Sequence, residues 1–250
     1  MKNRAIKLAA LAGSALLCLG IPAIGQQVSV QFTGGYTTTF ANSDGDFGAG
    51  IYSANINGAP SASGIICDDY KDEISSGETW TANAIQASNL NSSNIGQTLF
   101  GNNNSNLGTT GIGLTGYAEV ATLVSMMFGN ISTYGSITGI TQSELSSAIW
   151  YLTANPSGIP GLDSNALNLV AAVKAAFTGN LSGAQAYLST LTNLWILTPT
   201  PQGSGEPQEM WTMSVPEGGA ALMYLLLAGV SCFGAMFLQR RRQAVKQLAI

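Results

Sequence analysis

The chain has 250 residues, nine Lys or Arg, thirteen Asp or Glu and no histidine, for a formal net charge of −4. Seven of the bases lie at the two ends, so residues 26–213 hold two bases against twelve acids, a net −10 that excludes neutralising a run of nucleic-acid phosphates and repels anionic lipid surfaces. Without histidine, Ser-His-Asp and Cys-His catalysis, HExxH zinc sites and imidazole general bases are excluded as well.

At the start, Lys2, Arg4 and Lys7 precede an apolar run from Leu8 to Leu19 and the small-residue stretch Pro22-Ala23-Ile24-Gly25. That order predicts a signal helix over residues 1–25, cut after Gly25 by signal peptidase, with Ala23 and Gly25 in the required small-residue positions. Cys18 makes no lipoprotein box, because Leu16-Leu17 before it are too bulky and the apolar run continues past it.

Residues 26–213 are enough for one domain with a sizeable core. Val28, Val30 and Phe32 alternate with polar residues, and Tyr36, Thr38 and Phe40 resume the period after Gly34-Gly35, which predicts a hairpin turning at the glycines. Asn42-Ser43-Asp44-Gly45-Asp46 reads as a turn. Its Asn42, Asp44 and Asp46 alternate like the opening of a calcium loop, but Phe47 in the sixth place and Ser53 in the twelfth fail the EF-hand pattern. Calcium at extracellular concentration stays as an option, and no other cofactor is expected. Further strands are predicted over Ile51–Ile56, Gly64–Cys67 and Glu78–Ala82, followed by a long Asn/Ser/Gly-rich loop from Asn89 to Gly108.

The densest acidic cluster is Asp68-Asp69-Tyr70-Lys71-Asp72-Glu73. A glycosidase needs two carboxylates facing each other about 5–9 Å apart. Asp68 and Asp69 are adjacent and on a strand point to opposite faces, so the cluster reads as a solvated turn or a calcium loop.

From Tyr117 the period changes. Tyr117, Val120, Ala121, Val124 and Phe128 fall at helical spacing and end at Gly129-Asn130. Thr141 and Glu144 form a capping box ahead of Leu145, Ala148, Ile149 and Leu152, and Asn155-Pro156 stops that helix. A third helix over Ser164–Phe177 is expected to bury Leu167, Val170 and Ala171, and a fourth runs from Ser182 to Leu191. Strand character returns in Leu194–Leu197 and Met210–Met213, either as a closing hairpin around the Pro/Gly stretch 199–208 or with that stretch as a linker and no final strand. The expected fold class is α+β: a β-rich exported domain, residues 26–213, with a helical insertion.

The exported domain has one cysteine, Cys67, so it is no disulfide scaffold. Ile65-Ile66-Cys67-Asp68-Asp69, together with Ser147-Ala148-Ile149-Trp150-Tyr151-Leu152 on a capped helix, resembles the thioester domains of bacterial surface adhesins. In that family a strand-borne cysteine is acylated by a helix glutamine, and the stored electrophile captures nucleophiles. The resemblance maps Cys67 onto the cysteine and Ala148-Ile149-Trp150 onto the helix motif, but the glutamine slot falls on Ser146, which cannot form the bond. Gln142, one turn earlier on the same face, is the candidate substitute. The alternative is that Cys67 is a small buried hydrophobe and Trp150 a core aromatic.

The tail carries the most specific pattern. Val215-Pro216-Glu217-Gly218-Gly219 precedes the uncharged span Ala220–Leu238, and Arg240-Arg241-Arg242 follows at once. Nineteen residues make a helix of about 29 Å, which matches a bilayer core of about 30 Å, and the arginines place their end in the cytoplasm. This order resembles the PEP-CTERM sorting signal, with Gly218 where many members have proline. The resemblance implies sorting by an exosortase of a Gram-negative bacterium, with Pro216, Glu217, Gly218, Arg240, Arg241 and Arg242 as recognition residues. It gives a sorting signal over 214–243, a transmembrane helix over 220–238 and a cytoplasmic tail over 244–250.

The chain is thus expected to be a non-enzymatic protein, exported across the inner membrane, held transiently by its C-terminal helix and delivered to the cell surface or the extracellular polysaccharide. No nucleic-acid partner is expected. The alternatives are a thioester adhesin using Cys67, or a carbohydrate-binding module stacking sugars on Trp80, Trp150, Trp195 and Trp211.

Overall fold

The computed structural model describes residues 25–42, 45–70, 74–101, 111–154, 159–202 and 207–215. The chain divides into two compact units, Met1–Val215 and Pro216–Ile250, and the described residues belong to the first. The expected signal helix, the turn at 43–44 and the whole sorting tail with its transmembrane helix lie outside the described residues. Among the described residues no helix is long and apolar enough to cross a membrane.

The long first strand, β1 (Gln26–Asn42), pairs antiparallel with β2 (Gly45–Ile56) from Val30 to Asn42 and with β5 (Thr79–Gln86) over its first six residues. The expected hairpin at Gly34-Gly35 is therefore corrected: the chain does not reverse there. Both glycines take positive φ, 88° and 78°, and the pairing slips between Phe32, Gly34, Tyr36 and Thr38. Each slip inserts an extra residue, which bends the strand without ending the ladder. The reversal falls instead between Asn42 and Gly45.

Beyond β2 the chain forms β3 (Ala59–Pro60), β4 (Ile66–Cys67) and β5, and after the helices β8 (Trp195–Pro199) and β9 (Met210–Thr212). The strand order is β3-β2-β1-β5-β8-β9-β4, antiparallel at every pairing. Ile65, just before β4, exchanges two backbone hydrogen bonds with Tyr52 of β2, at 2.8 and 2.9 Å. The sheet thereby closes into a ring of six strands, with β3 appended beside the seam. Gly64 makes that closure possible, since it has φ of 73° and a Cβ there would lie 2.5 Å from the Tyr52 carbonyl oxygen. The two readings of residues 194–213 resolve into paired strands, with Leu197 opposite Met210.

Strand periodicity sorts the apolar residues into two cores. Val28, Val30, Phe32, Tyr52, Ala54, Ile56, Ile65, Cys67, Trp80, Ala82, Ala84, Leu197 and Met210 fill the barrel. The outward-facing Ile66, Ile85, Ile196 and Trp211 join a larger core with the helices.

The helices are inserted between β5 and β8: α1 (Gly113–Phe128), α2 (Gln142–Ala154), α3 (Ser164–Phe177) and α4 (Leu181–Thr190). The mixed architecture, antiparallel sheet with a helical insertion, is the expected α+β class. At the start of α2 the capping box forms as predicted, with the Glu144 amide donating to Thr141 Oγ1 and the Thr141 amide donating to Glu144 Oε2 at 2.6 Å. On α3 the expected buried face is corrected. Leu167 is 43 % exposed and Ala171 is exposed, while Ala166, Leu169, Val170, Val173 and Phe177 are buried. That stripe, at spacings of i, i+3, i+4, i+7 and i+11, covers more apolar surface than the one through Leu167. A short hairpin, β6 (Thr133–Tyr134) and β7 (Ile137–Thr138), fills the α1–α2 connection and has no counterpart in the sequence reading.

The expected loop from Asn89 is also corrected in its first half. Short 3-10 turns at Ala87–Asn89 and Ile95–Gln97 bury Leu90, Ile95, Leu99 and Phe100 against the helices. Four apolar side chains among polar turn formers are enough to pin the backbone.

Candidate functional site

The residues with the most unusual chemistry meet at the seam between β4 and β9. Ile66 pairs with Trp211 and Cys67 with Met210, and the Asp68 amide continues the ladder by donating to the Glu209 carbonyl at 3.3 Å. Alternation then sends Cys67 to the barrel side and Asp68, Glu209 and Trp211 to the helix side.

On the barrel side, Cys67 Sγ lies 2.8 Å from the carbonyl oxygen of Asp69 and 3.0 Å from Oε1 of Gln208, and the Asp69 amide donates to the sulfur at 3.3 Å. The thiol is buried. Burial pushes its pKa well up, and the carboxylates of Asp69 and Asp68 push it further. The sulfur is therefore held as a thiol. Neighbouring Tyr52 has its phenol pKa raised by the same burial and by the proximity of Cys67.

On the helix side, Glu209 is fully buried and collects donors. Its Oε2 accepts the Leu99 amide at 2.7 Å and the Thr198 hydroxyl, and its Oε1 accepts the Tyr117 hydroxyl at 2.5 Å. Asp68, also fully buried, accepts the Trp211 indole N–H on Oδ2 at 2.6 Å. Among the described residues no hydrogen-bond partner reaches its Oδ1, and the buried Glu209 carboxyl acts on it electrostatically. Burial and the Glu209 charge drive the Asp68 pKa well up, whereas the donors around Glu209 offset part of the rise that burial causes there. Asp68 is thus the member more strongly held in its protonated form. Burial, then Glu209 and Asp68, also raise the Tyr117 phenol.

The acidic cluster was expected to be a solvated turn, and here the structure corrects it: Asp68 and Asp69 are buried. Residues 71–73 lie outside the described residues, as does the side chain of Asp46. Among the described residues no group of three His, Cys, Asp or Glu side chains is placed to hold a metal ion.

Helix α2 grips this seam through its backbone. The Trp150 indole donates to the Cys67 carbonyl at 3.2 Å, the Thr153 hydroxyl to the Asp68 carbonyl, and Trp150 packs against Tyr70 and Phe40 with ring centres 5.4 and 6.0 Å away. Gln142 hydrogen-bonds the Thr37 hydroxyl, and Ser146 accepts the Gly50 amide at 2.9 Å. The glutamine whose amide meets Cys67 is Gln208, 141 residues along the chain.

Sequence reasoning missed Gln208, Glu209 and Tyr117. The available signal was that Glu209 and Trp211 share one face of a strand whose other face carries Met210. Trp80, Trp150 and Trp211 are buried and Trp195 is half-buried, so the tryptophans offer no exposed coplanar platform. Pro216, Glu217, Gly218, Arg240, Arg241 and Arg242 lie outside the described residues. Compared with family models, curated proteins and solved structures, the chain matches none.

Proposed function

We propose that this chain is an exported, non-enzymatic surface or matrix protein. A signal helix directs it across the inner membrane, a C-terminal transmembrane helix over 220–238 holds it, and an exosortase cuts near Pro216-Glu217-Gly218. The observation that carries this reading is the order in the tail, with Pro-Glu-Gly, an uncharged span and three arginines in succession. The division of the chain at Val215–Pro216 agrees with a folded cargo ending where the signal begins. The non-enzymatic part is supported by the enclosure of the Asp68–Glu209 pair, whose two residues are 0 % exposed and so do not face a substrate. The test is to express the full chain in cells with and without an active exosortase. A shortened, membrane-free product only in the former is expected; a full-length, membrane-bound protein in both overturns the reading.

A second reading has one specific observation behind it, the 3.0 Å approach of Cys67 Sγ to the Gln208 amide oxygen. In a thioester the sulfur bonds to Gln208 Cδ, the C–N bond breaks, and the amide nitrogen leaves with the thiol proton as ammonia. Intact mass decides between the two states, since the cross-linked chain is one ammonia lighter and methylamine opens it, adding one methylamine to give a free Cys67 thiol and an N-methylated Gln208 amide. A mass equal to the unmodified sequence in both wild type and Cys67→Ala eliminates this reading and leaves the sorting proposal untouched.

A further inference from the structure

We propose that the groove between the β6–β7 hairpin and helix α3 binds an uncharged, polyhydroxylated ligand, a stretch of neutral glycan. The groove has a volume of about 550 Å³ and is lined by Ser136, Ile137 and Thr138 from the hairpin and by Asn165, Asn168 and Ala172 from the helix. Small-ligand sites occupy roughly 300–1,000 Å³. The helix residues recur at i, i+3 and i+7 and so form one stripe, beside the face that α3 buries.

The chemistry of the lining selects the ligand. Two hydroxyls and two carboxamides each offer donors and acceptors together, and Ile137 and Ala172 supply a small apolar base. Sugar hydroxyls need partners of both kinds around a ring whose C–H face is apolar. An anionic ligand needs cations, and the lining holds no ionisable group. Lys174, the one base on α3, has its ammonium 5.6 Å from the centre of the Tyr151 ring and is not part of the lining. Behind the groove, the Asn165 amide donates to Glu144 Oε1 at 3.0 Å, and the hydrogen bonds Glu144 receives from Thr141 and Asn165 keep its carboxyl ionised, which disfavours anions. The same bond holds the Asn165 side chain in one orientation before any ligand arrives, which lowers the ordering cost of binding.

The site belongs to the folded domain and uses no part of the sorting tail, so the two proposals fail separately. The test is mobility of the purified full-length protein, in detergent, through native gels cast with dextran, galactomannan, mixed-linkage glucan or polygalacturonate. Retardation by at least one neutral polymer and none by polygalacturonate is expected. Asn168→Ala together with Thr138→Ala, both at exposed positions, weakens that retardation about tenfold with an unchanged melting temperature. No retardation by any neutral polymer, stronger retardation by polygalacturonate, or retardation that survives both substitutions overturns the proposal.

Discussion

The two faces of the β4–β9 seam are built from neighbouring residues and hold opposite chemistry. Toward the barrel, Cys67 keeps its proton because burial and nearby acids make a thiolate costly, and its contacts are weak sulfur contacts to Asp69 and Gln208. Toward the helices, Asp68 keeps its proton for a related reason, and it sits beside Glu209, whose hydrogen bonds tie the β9 strand to α1, to β8 and to the Leu99 turn. One residue of offset along a strand separates a buried thiol from a polar network that reaches α1, β8 and the Leu99 turn. The contrast shows that burial alone does not make a polar group structural; the number of partners that depend on it does.

The largest test of that contrast is Glu209→Leu. It strands the Leu99 amide and the Tyr117 and Thr198 hydroxyls, and the expected loss is roughly 4 kcal/mol or more at about 1–3 kcal/mol for each orphaned group. Urea unfolding measures it, and a loss under about 1 kcal/mol would show the network to be incidental.

Next comes the pH dependence. Asp68 and Glu209 both have folded pKa values raised above their unfolded ones. The folded state therefore holds an extra proton above the ordinary carboxylate pKa of about 4, and stability falls as pH rises from there until that proton leaves. The slope is about 1.4 kcal/mol per pH unit for one proton. Glu119, raised by burial, adds to the same trend. Glu144, held low by its hydrogen bonds, opposes it with stability lost only as pH falls through its own depressed value. Thermal melts from pH 5 to pH 8 should show declining stability, and Asp68→Asn, which removes one of the raised groups without adding a charge, should flatten the curve.

A smaller effect is expected from Tyr117→Phe, which removes the bond to Glu209 and the acceptor of the Phe100 amide, at 3.1 Å, for about 2 kcal/mol. Smallest is Cys67→Ala, comparable to deleting one buried methylene at about 1 kcal/mol, with the pH slope unchanged. A flattened slope in that variant would mean the two faces are coupled after all.

Local rules read the helices well. The Thr141–Glu144 box and the Ser164–Phe177 span follow from side chains within a few residues of each other. The partners across the seam were not legible in that way. Gln208 and Glu209 stand 141 residues beyond Cys67 and Asp68, past the whole helical insertion, and no period in the sequence carries that pairing. Gly34-Gly35 misled because φ > 0 serves a bulge as well as a turn, and only the pairing partner distinguishes them.

The position of β9 has a consequence for the order in which the chain acquires structure. β4 is complete at Cys67, yet its partner begins at Met210. A chain emerging from its N-terminus therefore carries β1, β2, β4 and β5 with the ring open, and the helices with one side of their core uncovered, until the last strand arrives. Joining segments so far apart makes closure a late, long-range event. Truncation anywhere before Thr212 should leave a collapsed species that never closes, while a chain cut just after it has all the strands it needs.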